Sequence, residues 1–377
     1  MKISRVESKI VTIPVETPYV ASYGSMTAFS NVLVWVWTDE GIVGIGESAF
    51  VGGGAVREET PESTKPIIDT YLAPAIIGED PFDIELVHEK MNRIVPRNLV
   101  AKAGIDLALW DIMGKALDLP VYKLLGGEYR SRIPVTYTLS MDTPEEMAEQ
   151  ARLRTSEGYS TVVIKIGHDP EGDLERLRLV REVVGPSVKI RLDANGGYRP
   201  DQAIRVIRRM ERYEPEFVEE PVKRWDLTGM AKVARAVDTP ISADESNSGL
   251  EGAMKIISQG AADILNIKVA KCGGLLNCKK IAALADANDI PCLVGGDTTY
   301  EITRQACRHL ATCTPAVQRG FGSEGCGPAS QSKIADVAKT VVTYKDVSEL
   351  GGYVVATPGP GLGIELDEDK IRKYGVP

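Results

Sequence analysis

Between Arg191 and Lys268 the chain presents Asp193, Glu219, Asp244 and Lys268 at nearly even intervals, each at the end of a short apolar run. The runs are Lys189-Ile190-Arg191-Leu192-Asp193, Phe217-Val218-Glu219-Glu220-Pro221, Pro240-Ile241-Ser242-Ala243-Asp244-Glu245 and Ile264-Leu265-Asn266-Ile267-Lys268. Each reads as a buried strand. Amphipathic stretches of helix length separate them, so the interval of about 25 residues is one strand plus one helix, the unit that closes into a (β/α)8 barrel. The active site of such a barrel sits where its strands end. Three carboxylates on successive strand ends would therefore converge at one mouth, with an amine on the next strand facing them. Helix capping would explain one such acid, but four charged residues in register are much harder to explain that way. Crowded carboxylates repel, so a cation among them is the reason they are tolerated. Three oxygen donors with no nearby His or Cys pair point to Mg2+ rather than zinc.

The chain has 377 residues, enough for a barrel of roughly 250 residues and a smaller partner. A formal net charge of -9 disfavours a nucleic-acid or anionic-membrane surface, since both need a basic face. Six cysteines lie in the last third without Cys-x-x-Cys spacing, as expected of reduced, buried thiols. The start, Met1-Lys2-Ile3-Ser4-Arg5, lacks the apolar core of a signal peptide, and no apolar run is long enough to span a bilayer. A cytoplasmic protein is expected.

Ahead of the barrel, Asn31 to Trp37 and Ile42 to Glu47 flank the turn Thr38-Asp39-Glu40-Gly41 as an antiparallel hairpin. Pro18 to Ser25 and Ala49 to Ala55, the latter with Gly52-Gly53-Gly54, lack periodicity and read as loops. Helical spacing over 61–119 stops at Pro120. The expected division is an α+β capping domain over 1–125, a (β/α)7-8 TIM-type barrel over 126–350, and a tail over 351–377 that packs back on the capping domain. Ile133 to Tyr137 is the expected first barrel strand, and Thr143-Pro144-Glu145-Glu146 opens its helix. Thr161 to Ile166, Cys292 to Gly296 and Ala316 to Arg319 are the second, seventh and eighth strands.

Lys165 ends the second strand, so lysines flank the carboxylates on both sides. A lysine becomes a base near neutral pH when a neighbouring cation and partial burial lower its pKa. A substrate carboxylate on the metal would have its α-carbon between the two amines, and removal of the α-proton gives an enediolate whose charge the metal stabilises.

These residues resemble the enolase superfamily in its muconate-lactonizing subgroup. The likeness rests on Asp39-Glu40-Gly41 with Gly44-Ile45-Gly46-Glu47, on Ile105-Asp106-Leu107-Ala108-Leu109-Trp110-Asp111 running to Leu125-Gly126-Gly127, and on Asp193-Ala194-Asn195. It continues through Glu219-Glu220-Pro221, Ala243-Asp244-Glu245-Ser246 and Lys268-Val269-Ala270-Lys271-Cys272-Gly273-Gly274. The resemblance implies that Asp193, Glu219 and Asp244 hold Mg2+ and that Lys165 and Lys268 are opposed acid/base groups. Asn195, Glu220 and Glu245 would support the ligands, and the first domain would cap the barrel with its two loops. A small carboxylate substrate and a homo-oligomer are expected. None of His88, His168 and His309 falls where the histidine-base branch needs one.

Two departures matter, the first for Lys165, which lacks a neighbouring ammonium and must rely on the metal and desolvation to lower its pKa, and the second for substrate. The subgroup's Lys-x-Lys on the second strand is Val163-Ile164-Lys165 here, and its Gly-Ser-Met-x-Glu on the seventh is Gly295-Gly296-Asp297-Thr298-Thr299. The eighth strand, Gln318-Arg319-Gly320-Phe321, lacks the Asp-x-Asp pair of dipeptide epimerases, which disfavours a dipeptide. Asp297 either caps the helix that begins near Thr299 or faces the mouth, where, with Tyr19 and Tyr23 across from it on the capping loop, it would favour a cationic group on the substrate. The expected function is racemisation or epimerisation of an amino-acid-like carboxylate. Cycloisomerisation of the muconate type and dehydration run through the same enediolate, and a Mg2+-dependent carboxylate-binding protein is the non-enzymatic alternative.

Overall fold

The computed structural model describes residues 1–21, 24–50, 58–139, 141–296, 298–321, 336–342 and 344–376. Its N-terminal sheet is antiparallel in the order β1 (Ile3–Ala21), β2 (Gly24–Thr38), β3 (Val43–Ser48). The expected hairpin is β2–β3, with Val32 opposite Ser48 and Trp37 opposite Val43. The stretch read as a loop from Pro18 pairs instead: Tyr19, Val20 and Ala21 face Met26, Ser25 and Gly24 after a register shift beyond Pro14. Backbone pairing needs no side-chain alternation, so the missing periodicity did not report it.

Helix α1 (Leu99–Leu117) lies against this sheet. Every residue from Val100 to Gly114 is buried. A helix buried on all sides belongs between two layers, and α1 meets the sheet on one flank and barrel loops on the other. A methyl group on Gly46 or Gly44 would overlap the carbonyl of Gly104 or Ala108, so the two glycines of β3 are what let strand and helix approach so closely. On the other flank, Asp106 accepts from Leu275 N at 2.5 Å and from His88 Nε2 at 2.9 Å.

Eight strands then form one curled parallel sheet in sequence order: β5 (Tyr137–Thr138), β6 (Thr161–Lys165), β7 (Lys189–Asp193), β8 (Phe217–Glu219), β9 (Ile241–Ala243), β10 (Ile264–Ile267), β11 (Cys292–Val294) and β12 (Val317–Phe321). Helices α2 (Pro144–Ser156), α3 (Pro170–Val184), α4 (Pro200–Met210), α5 (Leu227–Ala234), α6 (Gly249–Gln259), α7 (Leu275–Asp286) and α8 (Glu301–Cys313) alternate with them. Proline opens α2, α3 and α4, where its missing N–H costs nothing.

The expected first barrel strand is two pieces. Ile133–Pro134 (β4) pairs antiparallel with Tyr353–Val354 (β13), and only Tyr137–Thr138 joins the barrel sheet. Residues after 350 also meet the N-terminal half: Val376 N donates to Ile10 O at 2.9 Å and Leu362 N to Asp111 Oδ1 at 2.9 Å. The five described cysteines are buried free thiols. Among the described residues no helix is long and apolar enough to cross a membrane.

Candidate active site

Strand register sets the site. Lys165, Asp193 and Glu219 are Cα partners across β6, β7 and β8, so they lie in one layer at the strand ends. Asp244 follows β9 and Lys268 follows β10, each one residue past its last paired position. The chain turns sharply behind two of the acids: Asn195 and Glu220 take left-handed backbone angles, with φ of 41° and 39°. Such conformations cost of order 1–3 kcal/mol in non-glycine residues and persist where surrounding bonds hold them. Here Asn195 N donates to Asp193 Oδ1 at 3.0 Å, and Glu220 Oε2 accepts from Asp244 N at 2.8 Å and Ser246 Oγ at 2.9 Å.

The two lysines sit on opposite flanks of the carboxylates. Lys165 Nζ donates to Asp193 Oδ2 and, at 3.2 Å, to Asn195 Oδ1. Lys268 Nζ donates to Asp244 Oδ2 at 2.7 Å. Asn195 Nδ2 reaches Glu245 Oε1 at 2.9 Å, so the three predicted supporting residues each bond within this cluster. Two further residues complete it. Lys271 Nζ lies 2.8 Å from Asp244 Oδ1 and donates to Asn266 O at 2.8 Å, while Asn266 Nδ2 donates to Glu219 Oε1 at 3.3 Å. Strand alternation was a readable signal for Asn266, two positions before Lys268. Lys271 lies one helical turn beyond Lys268, within a stretch read only as a mark of the resemblance and given no role of its own.

The electrostatics are those of a site with too many acids. Burial, and then the charges of Asp193 and Asp244, push Glu219 well above the usual carboxylate range. Burial and the Glu245 charge raise Glu220 to about 8, and burial with Asp244 and Asp193 raises Glu245 to about 7. Asp244 goes the other way: burial opposes its charge, but Lys268 and Lys271 hold it well below the ordinary range. Buried oxygen donors that destabilise one another's charge are the donor set a hard divalent cation relieves. In the arrangement described, Asp193 and Asp244 turn to their lysines, and among the described residues no three His, Cys, Asp or Glu side chains form a metal cage.

Asp297 and Tyr23 lie outside the described residues, as does the side chain of Tyr19, whose backbone belongs to β1.

Comparisons with known proteins place the chain in a family. Residues 5–126 match the N-terminal domain of mandelate racemase / muconate lactonizing enzyme, and residues 146–370 match the enolase C-terminal domain-like family. The N-succinyl-L-Arg/Lys racemase of Bacillus cereus is 34% identical, covering 100% of this chain and 98% of the relative, and its crystal structure superposes with a TM-score of 0.93. A dipeptide epimerase from Enterococcus faecalis V583, solved with Mg and the dipeptide L-Leu-L-Tyr, is 33% identical over 97% of this chain and 100% of that one, with a TM-score of 0.89. A chloromuconate cycloisomerase of Delftia acidovorans is 34% identical over 99% of both chains. The chain belongs to the mandelate racemase/muconate lactonizing enzyme family of the enolase superfamily.

Proposed function

We propose that this protein is a Mg2+-dependent racemase or epimerase that removes and returns the proton α to the carboxylate of an amino-acid-like substrate. The observation that carries the reading is the pair of ammonium groups bonded to the two outer carboxylates of one strand-end set, Lys165 at Asp193 and Lys268 at Asp244, with Glu219 between those acids in strand order. A binding protein would need no such pair.

A Mg2+ held by Asp193, Glu219 and Asp244 would supply positive charge to the substrate carboxylate and so acidify its α-proton. The chain's own residues do the rest. One lysine, as the free amine, takes the proton with its lone pair, and the electron pair of the broken α C–H bond moves into the carboxylate. The other, as the ammonium, delivers a proton to the opposite face, and the reverse reaction exchanges the roles. Lys271 and Asn266 hold Asp244 and Glu219 in place. The cap over 1–125 gives selectivity, the barrel over 126–350 the chemistry, and the tail over 351–377 closes the two together. Asp297 meets a cationic group of the substrate. Support for an acylated amino acid comes from relatives named for N-succinyl-L-Arg/Lys and for dipeptides. A cytoplasmic location, which buried free thiols favour, and a homo-oligomer belong to the same proposal.

The test is solvent deuterium exchange at the α-carbon of N-acylated amino acids of both hands, alongside muconates, with Mg2+ and with a chelator. Exchange that needs Mg2+ is expected, and Lys165→Ala and Lys268→Ala should each retain exchange of only one enantiomer. Asp244→Asn should weaken Mg2+ binding measured by calorimetry. Turnover indifferent to chelation, or exchange of both enantiomers in both lysine variants, overturns the reading. Lactone formation from muconates without racemisation would replace it with cycloisomerisation.

A further inference from the structure

A buried polar cluster outside the carboxylate set holds the chain just past Lys165. Asp173, in the first turn of α3, and Tyr198, between β7 and α4, are both buried. Asp173 Oδ2 accepts from Tyr198 OH at 2.6 Å and from Gly167 N at 2.9 Å, and its Oδ1 accepts from Arg176 Nη1 at 2.9 Å. The Tyr198 oxygen also accepts from Gly167 N, at 3.2 Å. Burial, and then the Asp173 charge, push the Tyr198 phenol well above its ordinary range, so it stays a donor.

The two lysines leave their strands differently. Lys268 runs straight into the helical turn Val269–Cys272, where its own carbonyl accepts from Cys272 N at 3.0 Å. Lys165 enters an irregular stretch instead, since β6 ends with it and α3 begins at Pro170. Ile166 N still bonds to the neighbouring strand, at Asp193 O and 2.8 Å. At Gly167 the acceptors are Asp173 and Tyr198. The turn is packed without slack: Gly167 has a φ of 106°, and a methyl group on it would lie 2.6 Å from Ala194 O, one residue past Asp193. Val163, two positions back on the same face of β6, has no polar atom to hold the Lys165 ammonium. The amine hangs on a flexible stem, so its approach to the α-carbon depends on where this turn holds the backbone.

We propose that Asp173 and Tyr198 are positioning residues for Lys165. They fix the turn at Gly167, and through it the direction from which this one lysine meets the α-proton. The inference rests on the function proposed above and deepens it, by giving the two lysines separate supports. A base gains its full advantage only when it is held in reacting geometry, so a slack turn costs rate at the face that its lysine serves. Asp173 and Tyr198 make no bond to Lys268, Lys271 or Asp244, and the effect stays on one flank.

The experiment follows the initial loss of the α-proton to deuterated solvent for each enantiomer of an N-acylated amino acid, at saturating substrate, in the wild type, Tyr198→Phe and Asp173→Asn. The enantiomer that Lys268→Ala still exchanges is the one that Lys165 serves. For that enantiomer Tyr198→Phe should lower the rate on the order of tenfold, the size of one lost buried hydrogen bond. Asp173→Asn should lower it on the order of 10^2-fold, the scale of a misplaced reacting group. The other enantiomer should exchange nearly as fast as in the wild type. The Gly167 amide should exchange with solvent faster in both variants, a readout that needs no substrate. Tyr198→Phe keeps the ring in place and the test available if Asp173→Asn does not fold. A purely structural role would slow both enantiomers by the same factor, or lower the melting temperature alone, and either result overturns the proposal. So does a fall confined to the enantiomer that Lys268 serves, or an unchanged Gly167 amide. A wild type that exchanges no α-proton overturns the proposed function and this inference with it. A wild type whose enantiomers divide between the two lysines, with no uneven loss in Tyr198→Phe or Asp173→Asn, sinks this inference alone.

Discussion

The barrel mouth and the junction between cap and α8 are both buried clusters of charged side chains, yet they are balanced in opposite ways. At the mouth five acids (Asp193, Glu219, Glu220, Asp244, Glu245) face three lysines (Lys165, Lys268, Lys271), two more acids than bases, and burial with mutual repulsion pushes Glu219, Glu220 and Glu245 above the usual carboxylate range. At the junction Glu301 and Asp336 meet Arg304 and Arg308: Arg304 Nε donates to Glu301 Oε2 at 3.0 Å, Arg304 also pairs with Asp336, and Arg308 pairs with Glu301. The remaining acid there, Glu47, is pushed up to about 8 by burial, against the backbone N–H groups of Tyr300 and Thr303 that favour its charge. A cluster whose charges close on themselves holds the fold together. One with more buried acids than lysines is suited to a divalent partner, and its strained turns at Asn195 and Glu220 mark where stability is given up for it.

Two substitutions test that contrast most directly. Lys268→Ala should lower kcat on the order of 10^2–10^4-fold, the scale of a lost general acid or base, while thermal stability changes little. Arg304→Met should do the reverse. Breaking a buried pair leaves Asp336 and Glu301 under-compensated and costs about 3–5 kcal/mol, read by urea unfolding, with kcat of the folded variant little changed. If Lys268→Ala destabilises the fold as much as Arg304→Met, the mouth is a structural network and the comparison fails.

The mouth was legible in the sequence because its residues sit at the ends of local apolar runs, and parallel strands of similar length bring such ends into one layer. The junction was not. Asn31 Nδ2 donates there to Thr298 O across 267 positions, and nothing near either one signals the other. Gly44, Gly46 and Asp106 were read only as marks of resemblance, and their physical roles emerge from contact. The glycines admit the backbone of α1, and Asp106 caps the first turn of α7. The split of the first barrel strand was hidden for a similar reason. Pro134 cannot donate to a ladder and marks an edge pairing, but its partner, Tyr353, lies in the tail.

The smallest effect expected concerns pH, and it separates the junction side of α8 from the mouth. His309, buried on α8, takes a 3.4 Å bond from Tyr122 N at Nδ1, faces Leu362 O at 3.3 Å with Nε2, and stacks on the Tyr122 ring at 5.6 Å. Those partners suit a neutral ring that donates from Nε2. Burial, reinforced by the Arg308 charge and opposed by the Leu362 carbonyl, lowers its pKa to about 4. The unfolded chain takes up this proton near pH 6.5, and the folded chain takes it up only near pH 4. Stability from this group is therefore complete above about pH 6.5 and drains away as pH falls towards 4, by about 2–3 kcal/mol at pH 4.5. Urea unfolding of wild type and His309→Gln at pH 7.5 and 4.5 isolates it, because other titrating groups are common to both. The wild type should lose about 2–3 kcal/mol more than the variant over that interval. Equal losses would mean that His309 takes up its proton as readily in the folded chain as in the unfolded one, and that the Tyr122 N bond to Nδ1, which a charged ring cannot accept, is given up without cost.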